Sequence, residues 1–220
     1  MEIEKIQGIL IDLDGTLLDT EKVQFDSFIK ALDFFNVKIP EEDYPKYIGR
    51  SIKQVEEAII ENYNLKIRPG AIVKKRRKII MDIFKHEKLP MQPFAKEMLT
   101  FLEKRYPLAI CTAGEKDEVM AKLKVNGLYH FFDSIITASE VKKSKPDPET
   151  YIVGARKINI SPENCIAIED TYSGMLSAKG AGTTCFVIPN HYERDKKDFS
   201  MADKILDSLK EVIDIFENAN

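Results

Sequence analysis

The stretch that most constrains the fold is Gly8–Gly15, Gly-Ile-Leu-Ile-Asp-Leu-Asp-Gly, where an apolar run breaks abruptly into two carboxylates and a glycine. The run does not alternate polar with apolar, so it reads as a strand buried on both faces, as in a parallel sheet, followed by a turn. Similar runs recur at 108–112, 134–137, 165–168 and 184–188, with helical patterns between them over 93–104, 115–123, 148–158 and 173–181. Strands alternating with helices predict an α/β fold, a Rossmann-like, doubly wound parallel sheet.

Between 21 and 86 the alternation stops and only helical patterns remain, separated by Pro40, Pro45, Gly49 and Pro69-Gly70. An α-helical domain inserted over 20–86 is therefore expected, with the sheet domain formed by 1–19 and 87–220; Leu89-Pro90 and Pro93 mark the return. The tail carries Ile205, Leu209, Val212, Ile213 and Phe216 at helical spacing, which predicts one last helix over 201–216 closing the sheet.

Composition narrows the partners. Thirty-three basic against 36 acidic residues leave a net charge of -3, so no global field draws the chain to nucleic acid or anionic lipid. Any anion must be held locally. Hydrophobic residues at 44% and charged residues at 31% exclude a disordered chain. No apolar run approaches the ~20 residues of a bilayer span, and the first residues lack a signal-peptide profile, so a cytoplasmic location is expected. Cys111, Cys165 and Cys185 are widely spaced in apolar stretches and read as reduced core thiols.

In open α/β sheets ligands bind beyond the carboxyl ends of the strands. Four strand ends carry polar groups here. Asp12 and Asp14 in one tight turn repel each other unless a cation or proton sits with them. The pattern Asp-x-Asp-Gly-Thr should arise by chance in roughly one chain of this length per thousand. Thr112-Ala113-Gly114 offers a hydroxyl and backbone N–H groups ahead of a helix, the bland alternative being a helix cap. Lys145 lies in Lys-Pro-Asp-Pro, whose prolines fix a bend and start a helix; the alternative is a solvated basic loop with Lys142 and Lys143. Ile168-Glu169-Asp170 sets two more carboxylates at a strand end.

Asp12 to Thr20, Asp-Leu-Asp-Gly-Thr-Leu-Leu-Asp-Thr, resembles motif I of the haloacid dehalogenase superfamily, and the three other segments resemble its motifs II, III and IV in order. The resemblance implies a phosphatase in which Asp12 is the nucleophile and Asp14 the general acid and base. It implies that Thr112 and Ala113 bind the phosphoryl group and that Lys145 neutralises it. Mg2+ is implied on Asp12, Asp170 and the Asp14 carbonyl, with Glu169 close by, often through water. The insertion resembles the helical cap of the subfamily containing β-phosphoglucomutase and phosphoglycolate phosphatases, where Arg50 resembles a substrate-binding cap residue.

The expected substrate is a small sugar-phosphate-like metabolite. The mutase itself carries a cap histidine and a cap lysine where Gln24 and Ile48 stand here; Gln24 cannot carry a proton near neutral pH and Ile48 cannot hold a phosphate. Release of phosphate to water is thus expected over its return to substrate. A β-phosphoglucomutase is the alternative within enzymes, and a non-catalytic binding protein the alternative outside them. The run Lys74 to Lys78 wraps around more than one helix face and is expected to be mostly solvated, with no site role. His86, His130 and His191 show no metal-ligand spacing, and no P-loop or GxGxxG is present.

Overall fold

The computed structural model describes residues 3–40, 43 and 52–218. Its sheet has six strands in the order β3-β2-β1-β4-β5-β6. These are β1 (Gly8–Ile11), β2 (Leu108–Cys111), β3 (Ser134–Ile136), β4 (Cys165–Glu169), β5 (Thr184–Val187) and β6 (Lys204–Ile205). Every pairing is parallel, and β1 sits between β2 and β4, with Ile9 opposite Leu108 on one side and Ile166 on the other. A strand so placed has no solvent face, which is why its four residues are apolar or glycine and all buried.

Seven helices are needed here: α1 (Glu21–Asp33), α2 (Ile52–Asn62), α3 (Ala71–His86), α4 (Ala95–Leu102), α5 (Lys116–Val125), α6 (Glu149–Lys157) and α7 (Tyr172–Gly180); α8 (Leu209–Glu217) follows β6. On one face of the sheet Leu10, Cys111, Ile136, Ala167 and Cys185 pack with Tyr151 of α6 and Met175 of α7. Ile9 and Ile11 point to the opposite face by strand alternation and are equally buried. Each such side chain contributes about 1.5–3 kcal/mol. Cys111, Cys165 and Cys185 are reduced and buried, as the sequence suggested.

The chain divides into two compact units, Met1–Thr20 with Lys88–Asn220, and Glu21–Glu87. The second unit has a core of its own, with Phe28, Ala31 and Leu32 of α1, Val37, Ile59 of α2 and Ile72 of α3. Gly70 opens α3 at φ 85 with no side-chain cap of its own. The buried carboxylate of Glu56, from α2, instead accepts the N–H groups of Gly70 (2.6 Å), Ile72 (2.8 Å) and Val73 (3.1 Å). A neighbouring helix thus satisfies donors that every helix start leaves open.

One sequence expectation needs correction. The tail is not one helix: Lys204 and Ile205 pair with Phe186 and Val187 as an edge strand, and α8 begins only at Leu209, behind a capping box of Ser208 and Glu211. Ile205, at 54% exposed, belongs to that edge rather than to an apolar helix stripe. In the basic run Lys74, Arg77 and Lys78 are exposed, but Arg76 is buried and donates to the Gln24 side-chain oxygen at 2.9 Å. Lys75 lies over the Phe34 ring, 3.7 Å from its centroid. Arg76 shares the face of Ile72 and Ile80, four residues away on either side, and so turns inward.

Candidate active site

The ladder between β1 and β4 continues one step past Ile11, where Asp12 N–H donates to the Ile168 carbonyl at 3.0 Å. That bond sets Asp12 beside the end of β4, where Glu169 and Asp170 stand. The following turn closes by Gly15 N–H donating to the Leu18 carbonyl at 2.8 Å. Gly15 has φ 92, and a Cβ there would collide with the Asp170 carboxylate. Only glycine allows the two strand ends to approach so closely.

Asp12, Glu169 and Asp170 are buried, with ligand atoms within 4.8 Å of one another. Lys145, its side chain 6% exposed, donates to Asp12 Oδ1 at 2.6 Å and to Glu169 Oε1. The Tyr151 hydroxyl also donates to Glu169 Oε1, at 2.7 Å. Glu169 Oε2 accepts the Asp170 N–H, the Thr171 N–H and the Thr171 hydroxyl. A carboxylate has about four acceptor positions, so the five donors on Glu169 use it fully within the protein. Asp170 accepts from the Thr16 hydroxyl on Oδ1 and from the Asn190 amide on Oδ2, both at 3.1 Å.

Burial pushes the Asp12 carboxyl up to about 7; Lys145 opposes this, and Glu169 and Asp14 reinforce it. Burial, then Asp12 and Glu169, raise Asp170 well above the usual carboxylate range. Burial alone would lower Lys145, but Asp12 and Glu169 beside it hold it above its ordinary value, so it stays charged. Of the three carboxylates Lys145 bonds two, Asp12 and Glu169, which leaves the set short of positive charge and suited to a divalent cation bound by oxygen.

Thr112 is buried at the end of β2, and its N–H donates to the Ile136 carbonyl at 3.0 Å. Its hydroxyl accepts the Gly114 N–H at 3.1 Å; the cap of α5 is Glu115, so Thr112 is no helix cap. Ala113 is exposed on that turn. Asp14 lies next to the turn, since a Cβ on Gly114 would be 3.7 Å from its Oδ2. Of the predicted residues, Asp12, Asp14, Thr112, Ala113, Lys145, Glu169 and Asp170 gather at this end of the sheet. Arg50 and Ile48 lie outside the described residues.

Sequence reading missed Tyr151, Asn190 and Lys122. Lys122 Nζ lies 2.7 Å from both oxygens of Asp14, and the Thr20 hydroxyl donates to Oδ1 at 2.7 Å. One signal was available: Lys122 falls on the stripe of Val119 and Leu123, and a lysine on the apolar face of a helix needs a partner.

The family model described as "Haloacid dehalogenase-like hydrolase" matches residues 9–188. The fructose-1-phosphate phosphatase YqaB of Escherichia coli is 28% identical over 183 residues, 81% of this chain and 94% of that protein. A phosphorylated carbohydrates phosphatase of Thermotoga maritima is 27% identical over 94% of this chain and 100% of its own length. The crystal structure of CbbY from Rhodobacter sphaeroides in complex with phosphate superposes with a TM-score of 0.79 at 25% identity, covering 94% of this chain and 96% of that one.

Proposed function

As this chain belongs to the haloacid dehalogenase-like hydrolases, we propose that it hydrolyses phosphate monoesters of small phosphorylated sugars through an aspartyl-phosphate on Asp12. The observation that carries the reading is the buried set of Asp12, Glu169 and Asp170, with the Lys145 ammonium bonded to the first two, at the carboxyl end of the central strands. The two phosphatases named above, both acting on phosphorylated sugars by name, support the substrate class.

In the first step an Asp12 carboxylate oxygen attacks phosphorus while the bond from phosphorus to the leaving oxygen breaks and Asp14 gives that oxygen a proton. In the second, a water oxygen attacks phosphorus, Asp14 takes a proton from that water, and the bond to Asp12 breaks, releasing inorganic phosphate and leaving Asp12 a carboxylate and Asp14 protonated as at the start. Lys145, 2.6 Å from Asp12, offsets the repulsion between nucleophile and phosphoryl group. On the turn after β2 the Thr112 hydroxyl and the Ala113 N–H would meet the phosphoryl oxygens, since the Thr112 and Gly114 N–H groups are bonded to Ile136 and to the Thr112 hydroxyl. Asp12, Asp170 and the Asp14 carbonyl would hold Mg2+, while Glu169, its oxygens already engaged, anchors Lys145. When bound, Mg2+ would neutralise charge on the phosphoryl oxygens.

The test is phosphate release from a panel including fructose 1-phosphate, glucose 1-phosphate, glucose 6-phosphate and phosphoglycolate, with Mg2+ present. Release should centre on the sugar phosphates, stop in excess EDTA and fall by at least about a thousandfold in Asp12→Asn, as when other enzymes lose a nucleophile. Substantial turnover in that variant would sink the covalent route. Conversion of glucose 1-phosphate to glucose 6-phosphate without phosphate release would instead mark a mutase, and phosphate binding with no turnover a binding protein.

A further inference from the structure

We infer that Lys122 is a positioning residue that holds the Asp14 carboxylate for the water attack in the second step, an inference that rests on the phosphatase reading above. The Lys122 side chain is 2% exposed and the Asp14 side chain 23%, so the lysine stands inside and the carboxylate faces outward from it. Its ammonium bonds both Asp14 oxygens, and Thr20 bonds one of them. A carboxylate gripped on both oxygens by one ammonium and on one by a hydroxyl keeps a single orientation.

Lys145 does not duplicate this contact, because its ammonium bonds Asp12 and Glu169. Nor does packing explain it. The stripe of α5 that holds Val119 and Leu123 would ordinarily carry another apolar residue, and a buried lysine is costly unless paired. The pair also joins segments far apart in the chain: α5 follows the turn at Thr112 to Gly114, and Asp14 lies in the turn after β1, so Lys122 ties one side of the cleft to the other.

The two steps can be separated with p-nitrophenyl phosphate, whose leaving group departs without a proton. There kcat/KM reports phosphorylation of Asp12, and kcat reports release by water once release is slow. In Lys122→Met, kcat should fall about tenfold or more, the scale expected when a catalytic group is misplaced. KM should fall in proportion and kcat/KM stay within about threefold, and a burst of p-nitrophenolate matching the enzyme should precede steady state. Lys122→Arg should recover most of kcat. Lys122→Gln, which keeps a donor without the charge, should fall between and serves if the methionine variant does not fold. In an Asp14→Asn background Lys122→Met should change nothing further.

An equal fall in kcat and kcat/KM with no burst would assign Lys122 a structural role and overturn the inference, as would an unchanged kcat. Wild-type protein and Asp12→Asn run beside it keep the two ideas apart. Turnover that survives in Asp12→Asn removes the parent reading and this one with it. Loss there with no effect at Lys122 removes only this one.

Discussion

At the scale of single residues, burial sets the chemistry of each reactive group. Asp12 and Cys111 are both buried, but Asp12 has the Lys145 ammonium at 2.6 Å whereas Cys111 packs in the apolar core. Burial pushes the Cys165 thiol up to about 12 and raises Cys111 and Cys185 further. A thiol held neutral is a poor nucleophile. All three should therefore resist a thiol-reactive disulfide at pH 8 in the folded protein and all react once it is denatured, as followed by absorbance; fast labelling of one in the native state would contradict the burial. Asp12, Asp14, Lys145 and Asp170 were legible in the sequence because each stands in a short pattern with its own turn chemistry. Tyr151, Asn190 and Lys122 were not, since each is defined by a partner: Tyr151 by Glu169, 18 residues away, and Lys122 by Asp14, 108 residues away.

At the scale of elements, the first turn of α7 governs the site as much as any strand end. A Cβ at Gly174 would occupy the space of the Glu169 carboxyl group. Gly174→Ala must push Glu169 off its bonds to Lys145, Tyr151 and the Thr171 N–H, or unwind the start of the helix. We expect a loss of about 1–3 kcal/mol in urea denaturation, as for overpacking, together with a fall in kcat; a variant of wild-type stability and rate would show that Glu169 is not held there. Helix and strand identities were readable from periodicity because both sheet faces are covered. The tail was not. Two residues of edge strand carry too little pattern to announce themselves, and the helix starts at Leu209, behind Ser208, rather than at 201. The start of α3 at Ala71 was marked by Pro69-Gly70, but its cap was hidden, because it comes from Glu56 on another helix.

At the scale of the whole molecule, the helical unit Glu21–Glu87 interrupts the sheet unit between Thr20 and Lys88 and depends on a small core. Small units bury a smaller share of their surface and open more readily. Glu56→Ala, which removes the acceptor for three N–H groups, should cost that unit about 2–3 kcal/mol. Hydrogen exchange in α2 and α3 should then speed up by roughly 30- to 150-fold while β1, β2 and β4 keep their protection. Uniform acceleration across both units would mean that they unfold together. The strand order has a further consequence, for synthesis. The central strand β1 is made before the other strands of the sheet, so Asp12 and Asp14 precede them, and Asp170 follows Thr16 by 154 residues. At 5–20 residues per second that interval is roughly 8–30 s. For most of that time the nascent chain displays an acidic turn without Lys145, and until its end without the β4 strand that will flank it.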